Sequence, residues 1–141
     1  MENPELTTMP LVSEEDQYQW ENKVLLITED EEVNFFYLKT LLKRTEARII
    51  RAKNGKEAVD IIANHGEEID LVLMDLNMPV MDGYEAMRII KSIHPDMPII
   101  AQTAYTLNND RLRCLEAGFT DYIAKPINRL ALFRLVKDNL S

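Results

Sequence analysis

Cysteine is all but missing from this chain of 141 residues: Cys114 stands alone, which excludes an intramolecular disulfide and a cysteine-rich zinc site. His65 and His94 are the only histidines, and neither has a second histidine at ligand spacing, so both read as residues beside helix ends. No apolar run approaches the roughly 20 residues that span a bilayer. The N-terminus lacks the basic-then-apolar pattern of a signal peptide. A cytoplasmic, soluble domain without membrane contact is therefore the expectation. Basic charge is scarce too, with 16 Lys and Arg against 24 Asp and Glu and a net charge of −8. A chain so acidic gives direct nucleic-acid binding poor electrostatic support. There is no internal repeat and no low-complexity block.

What is present is a regular alternation. Residues 1–21 carry two prolines and many acids without sustained periodicity, and read as a tail or interdomain linker whose Tyr18 and Trp20 could pin its end to a domain. From residue 22 to residue 141 the pattern is that of one domain. Short apolar strands KVLLIT, ARIIRA, IDLVLMD, MPIIAQT and DYIAK alternate with five helical segments. The first helical segment, EEVNFFYLKTLLKR, spaces Val33, Phe36, Tyr37 and Leu41 at helical intervals, with acids at its start and bases at its end as the helix dipole prefers. His94-Pro95 ends the third helix and Gly118 stops the fourth. Strand–helix alternation with short connections predicts an α/β fold, a parallel sheet covered on both faces. The flavodoxin-like doubly wound (βα)5 arrangement, strand order 2-1-3-4-5, is the choice made among such folds.

That fold gathers strand ends on one edge. Leu71–Met74 are apolar without alternation, as in a strand buried on both faces, and the run ends on Asp75 before breaking into Met78-Pro79 and Asp82-Gly83. Strand 1 ends in Glu29-Asp30, strand 4 in Thr103, and strand 5 in Lys125 before Pro126. Three carboxylates, a hydroxyl and an ammonium thus share an edge where open α/β sheets place chemistry. Such acids repel unless a cation compensates them. Oxygen-only ligands favour Mg²⁺ over zinc, and Mg²⁺ binds beside phosphates. Phosphoryl chemistry with an aspartate acceptor follows. Each residue alone has a plainer role: Asp30 could simply cap the next helix, Thr103 is an ordinary strand-end residue, and most lysines are surface charges. The joint arrangement is the signal.

The acidic pair, MDLNMPVMDG, QTA and DYIAKP together resemble the receiver domains of two-component response regulators, from about Asn22 to Ser141. The wording AQTAYT and DYIAKPI is most similar to the C-terminal receiver of a hybrid sensor histidine kinase, with a free-standing receiver acting through protein contacts as the other context. The resemblance implies that Asp75 takes a phosphoryl group from a phosphohistidine. It implies that Asp30 binds Mg²⁺ directly and Glu29 through water, with the main-chain carbonyl of Asn77 as a further ligand. Thr103 would hydrogen-bond the phosphoryl group, Lys125 would pair with its charge, and Tyr122 would be the switch aromatic. Lys125-Pro126 matches a peptide bond that is usually cis in this family. Asn77 and Tyr105 match positions that tune phosphate lifetime. The pair here is Glu-Asp where the family often has Asp-Asp.

The resemblance further implies a phosphoacceptor signalling domain that promotes its own phosphorylation and dephosphorylation, rather than an enzyme with turnover. A histidine kinase or histidine phosphotransfer domain would be the donor, docking on helix 1 near Asn34 and Tyr37. Helix 4, strand 5 and helix 5, with Arg111, Arg113, Tyr122 and Arg129, would face a downstream protein partner or a second copy. A phosphatase with an aspartate nucleophile wants an acid two residues on, and Asn77 stands there. A flavin module wants a phosphate loop after strand 1, where TEDEEVN would repel it.

Overall fold

The computed structural model describes residues 17–104 and 110–140. The apolar runs form five strands: β1 (Val24–Thr28), β2 (Arg48–Ala52), β3 (Leu71–Asp75), β4 (Ile99–Thr103) and β5 (Asp121–Ala124). They pair in parallel in the order β2-β1-β3-β4-β5, the doubly wound order expected. Helices α1 (Glu32–Leu42), α2 (Gly55–His65), α3 (Gly83–Ile93), α4 (Asp110–Ala117) and α5 (Arg129–Asn139) make the crossovers and follow the last strand. Three helix starts follow directly from sequence. Asn54, Asp82 and Asn128 accept from the backbone N–H three residues on, at 2.9, 2.9 and 3.0 Å, satisfying donors that a helix start leaves orphaned. Gly118 ends α4 with φ +124°, a conformation glycine reaches without strain.

Two cores lie on the two faces of the sheet. Leu26, Val72, Met74 and Ala101 meet Ile62 of α2, Ile90 of α3 and Cys114 of α4. Leu25, Leu71, Leu73 and Ile100 meet Leu38 of α1 and Phe133 of α5. β3 alternates between the two cores and is buried at all five positions. An unalternating apolar run is the sequence image of that double burial.

Helix α1 departs from its expected packing. Val33, Phe36 and Tyr37 are exposed, at 78, 70 and 47%, whereas Leu38, Leu41 and Leu42 carry the buried face. Helical spacing alone does not say which of two apolar stripes turns inward. Here the last turns hold three leucines, and they win the core.

Tyr18 and Trp20 enter the second core ahead of β1. Both rings meet Phe133 edge-on, with centroids at 5.4 and 5.9 Å, and the main-chain N–H of Trp20 donates to the Thr45 carbonyl at 2.6 Å. Trp20→Ala should therefore cost about 3 kcal/mol, the scale of a truncated buried aromatic. Urea denaturation followed by circular dichroism measures it. A loss below about 0.5 kcal/mol, the level of an ordinary surface substitution, would mean the aromatic pair is a passenger.

Candidate functional site

Strand register sets the site. Thr28 pairs with Met74, Asp75 with Gln102, and Thr103 with Ala124. One step beyond those pairs, Glu29, Asp75, Thr103 and Lys125 stand on the same edge. The Lys125 N–H donates to the Thr103 carbonyl at 2.8 Å, which carries the β4–β5 pairing one residue past the strand. The Lys125–Pro126 peptide is cis.

Within that edge the side chains converge. Lys125 Nζ lies 3.3 Å from Asp75 Oδ2 and 3.4 Å from Glu29 Oε1. Carboxylate oxygens of Glu29, Asp30 and Asp75 fall within 4.8 Å of one another. Glu29 is fully buried and Asp75 nearly so, while Asp30 is half-buried. Main-chain donors hold two of the acids: Asn77 N–H donates to Asp75 Oδ1 at 3.1 Å, and Glu31 N–H to Glu29 Oε2 at 3.2 Å. The capping role open to Asp30 is not taken, because Glu31 occupies the N-cap of α1 and makes no side-chain cap bond.

The electrostatics show a surplus of negative charge. Burial, then the Asp75 charge, push the Glu29 carboxyl up to about 7, against the pull of the Glu31 N–H and Lys125. Burial alone would lower the Lys125 ammonium, yet the charges of Asp75 and Glu29 outweigh it and hold the group above its usual value. One ammonium is over-supplied with partners, and its carboxylates are under-supplied. An oxygen-only donor set with surplus charge fits a hard divalent cation.

The loop after β3 explains why an apolar strand breaks into Met-Pro and Asp-Gly. Gly83 N–H donates to the Leu76 carbonyl at 3.2 Å, so α3 starts directly against the strand end. A Cβ on Gly83 would run into the Asp75 carbonyl oxygen. Only glycine lets the helix approach the backbone that carries Asp75. Asn77 is exposed. Thr103 is buried, and Tyr122 is half-buried against the first core. Tyr105 lies outside the described residues.

Two residues near the site had no role in the sequence reading. Gln102 is fully buried, and among the described residues neither of its amide atoms has a hydrogen-bond partner. It lines a cleft of about 130 Å³ with Glu29, Asn34, Tyr37 and Lys125. A polar amide next to Thr103 in the otherwise apolar run IIAQT was the available signal. Arg51 of β2 donates to the carbonyls of Glu29 and Asp30 at 3.1 and 3.3 Å. Nothing in ARIIRA announces that. On the α4–β5 face, Arg111 and Arg113 pair with Asp121 and Asp110 at 3.8 and 3.9 Å. Among the described residues no helix is long and apolar enough to cross a membrane.

The family model described as response regulator receiver domain matches residues 25–137. The chain is 36% identical over 123 residues to hybrid signal transduction histidine kinase I of Dictyostelium discoideum, covering 82% of this chain and 7% of that protein. It resembles the receiver domain of the sensor histidine kinase PA1611 from Pseudomonas aeruginosa, solved with magnesium in its active-site cleft, at 36% identity and TM-score 0.76, over 84% of this chain and 97% of that one. The receiver domain of Ssk1 from Saccharomyces cerevisiae, co-crystallised with the histidine phosphotransfer protein Ypd1, is similar at 30% identity and TM-score 0.76, over 84 and 88% of the two chains.

Gly83→Ala should force the loop from the strand end and cost about 1–3 kcal/mol, the range for overpacking; an unchanged denaturation midpoint would show that the loop yields freely. Glu29 gives a pH dependence. Its carboxyl titrates near 4.5 in the unfolded chain and near 7 in the folded one. Between those values the folded protein keeps a proton that the unfolded chain has lost, so this group's stabilising effect is full below 4.5 and lost as pH rises through about 7. In metal-free protein, the melting temperature of wild type relative to Glu29→Gln should accordingly fall between about pH 5 and about pH 8. A difference that does not move with pH would contradict this.

Proposed function

This chain belongs to the response regulator receiver domain family, and from that premise we propose that Asp75 is the phosphoacceptor of a two-component phosphorelay. The observation that carries the reading is a buried Asp75 carboxylate facing Lys125 at 3.3 Å, beside Glu29 and Asp30. The phosphoryl group comes from a phosphohistidine on a histidine kinase or histidine phosphotransfer domain. A carboxylate oxygen of Asp75 forms the new O–P bond as the P–N bond breaks, and the electron pair stays with the imidazole nitrogen. A proton on the ring's other nitrogen lets it leave neutral.

The surrounding residues divide the work. The Asn77 N–H holds one Asp75 oxygen in place. Lys125 takes up charge on the phosphoryl oxygens, and the Thr103 hydroxyl binds one of them. Asp30, Asp75 and the main-chain carbonyl of Asn77 would hold Mg²⁺ directly, with Glu29 reaching it through water. When bound, that ion supplies the positive charge that lets three carboxylates and a phosphoryl group share one cleft. Thr103 and Tyr122 then report the phosphorylated state to the α4–β5–α5 face, as a population shift read by a protein partner or a second copy. Asn77 and Tyr105 tune how long the acyl phosphate lasts before water removes it.

The exposed Val33, Phe36 and Tyr37 on α1, with Tyr37 lining the cleft that holds Glu29 and Lys125, support that helix as the docking surface for the phosphodonor. Residues 22–141 act as the receiver, and 1–21 as a linker fastened by Tyr18 and Trp20. A cytoplasmic setting within a hybrid histidine kinase suits a chain 36% identical over 123 residues to hybrid signal transduction histidine kinase I.

The test is intact mass after incubation with Mg²⁺ and a small acyl phosphate. One added phosphoryl group is expected on the wild type. It should be absent from Asp75→Asn and lost when the metal is chelated before the donor is added. An equal adduct on Asp75→Asn, or none on folded wild type even when sampled at short times, would overturn the assignment.

A further inference from the structure

Arg51 lies on the edge strand β2, outside the acid–lysine cluster, yet its guanidinium is committed to the loop that carries two of the acids. Nε donates to the Glu29 carbonyl oxygen at 3.1 Å, and one terminal nitrogen to the Asp30 carbonyl at 3.3 Å. The other terminal nitrogen pairs with Glu32 Oε1 at 2.8 Å. The group also sits over the Phe35 ring, 4.8 Å from its centroid, and the side chain is only 14% exposed. All three nitrogens and one flat face are thus in use.

The loop needs such a hold. Beyond β1 it continues the sheet pairing through the Glu29 N–H, which donates to the Ala52 carbonyl at 2.9 Å. The N-cap of α1, Glu31, then makes no side-chain cap bond, unlike the N-caps of α2, α3 and α5. A rigid planar fork that takes two consecutive carbonyls fixes the peptide between Glu29 and Asp30, which a flexible ammonium does less well. We propose that Arg51 is a positioning residue of the divalent-metal centre: it clamps the main chain of Glu29 and Asp30 so that both carboxylates stay within reach of one cation. The proposal rests on reading Glu29, Asp30 and Asp75 as that centre.

Charge and position predict opposite signs here. As a charge alone, a guanidinium beside an acidic site opposes a divalent cation, and removing it would tighten metal binding. As a clamp, its removal frees the ligand loop and weakens binding.

The experiment is a titration of the folded chain with Mg²⁺ alone, followed by the amide resonances around Glu29, Asp30, Asp75 and Asn77. Arg51→Met keeps an apolar stem against Phe35 and removes every donor. Its affinity for Mg²⁺ should fall about tenfold, the scale seen when outer partners of metal ligands are lost. Arg51→Lys keeps the charge without the fork and should fall as well, by a smaller factor. It also carries the test if Arg51→Met does not fold. Unchanged or tighter binding in these variants, with the wild type binding normally, would overturn the clamp and leave the metal centre standing. Absence of any Mg²⁺-dependent shift at those amides in the wild type would overturn both.

Discussion

One shared ammonium governs this site. Lys125 faces Asp75 and Glu29 at nearly equal distances, 3.3 and 3.4 Å, so neither acid has a full counter-charge. Desolvating a carboxylate costs several kcal/mol unless it is paired and hydrogen-bonded. The chain meets that cost in part, with one N–H on each acid and one cation between them. The remainder shows in opposite shifts: the lysine is held charged, while Glu29 is pushed toward its neutral form. A cluster in that condition responds to added positive charge and resists added negative charge. That is the electrostatic requirement of a phosphoacceptor that takes up a phosphoryl group only alongside a cation.

The fold supplies the precision this balance needs. Every contributing residue lies within two positions of a strand end, and the sheet's pairings set their relative heights. β3 has a core on each face, so Asp75 is the last residue of the most constrained strand. Gly83 brings α3 against that strand end from the other side. Strand backbone locked in this way can hold like charges close without being spread apart by their repulsion, because displacing one residue would disturb two close-packed cores.

Much of this was legible because the signals were local or periodic. The unalternating Leu71–Met74 run, the Asp82-Gly83 break, and the acids and lysine at run ends translate directly into strands, a helix start and a shared edge. What sequence could not settle depended on tertiary choice. The spacing of Val33, Phe36 and Tyr37 is as helical as that of Leu38, Leu41 and Leu42, and only the packed sheet decides between them. Arg51 looks like an ordinary exposed-face residue of an edge strand until the β1–β2 register brings it beside Glu29. Gln102 was visible as an odd polar residue, but its lack of a partner among the described residues appears only in three dimensions.

Those two surprises, the outward stripe of α1 and the reach of Arg51, share a cause. The C-terminal half of α1 is held by burial of leucines. Its N-terminal half is held by polar and ring contacts instead: Glu32 and Phe35 to Arg51, and the Tyr37 hydroxyl donating to the Ile127 carbonyl at 2.7 Å. Anchoring by directional contacts leaves Val33 and Phe36 free of core duty and exposed. Apolar side chains kept in water gain nothing for the isolated domain, so their return comes only when a partner covers them. The same contacts join that surface to the loop bearing Glu29 and Asp30. A partner that presses on the first turns of α1 therefore acts on Glu32 and Phe35, which contact the same Arg51 that is bonded to the main chain of two of the three acids.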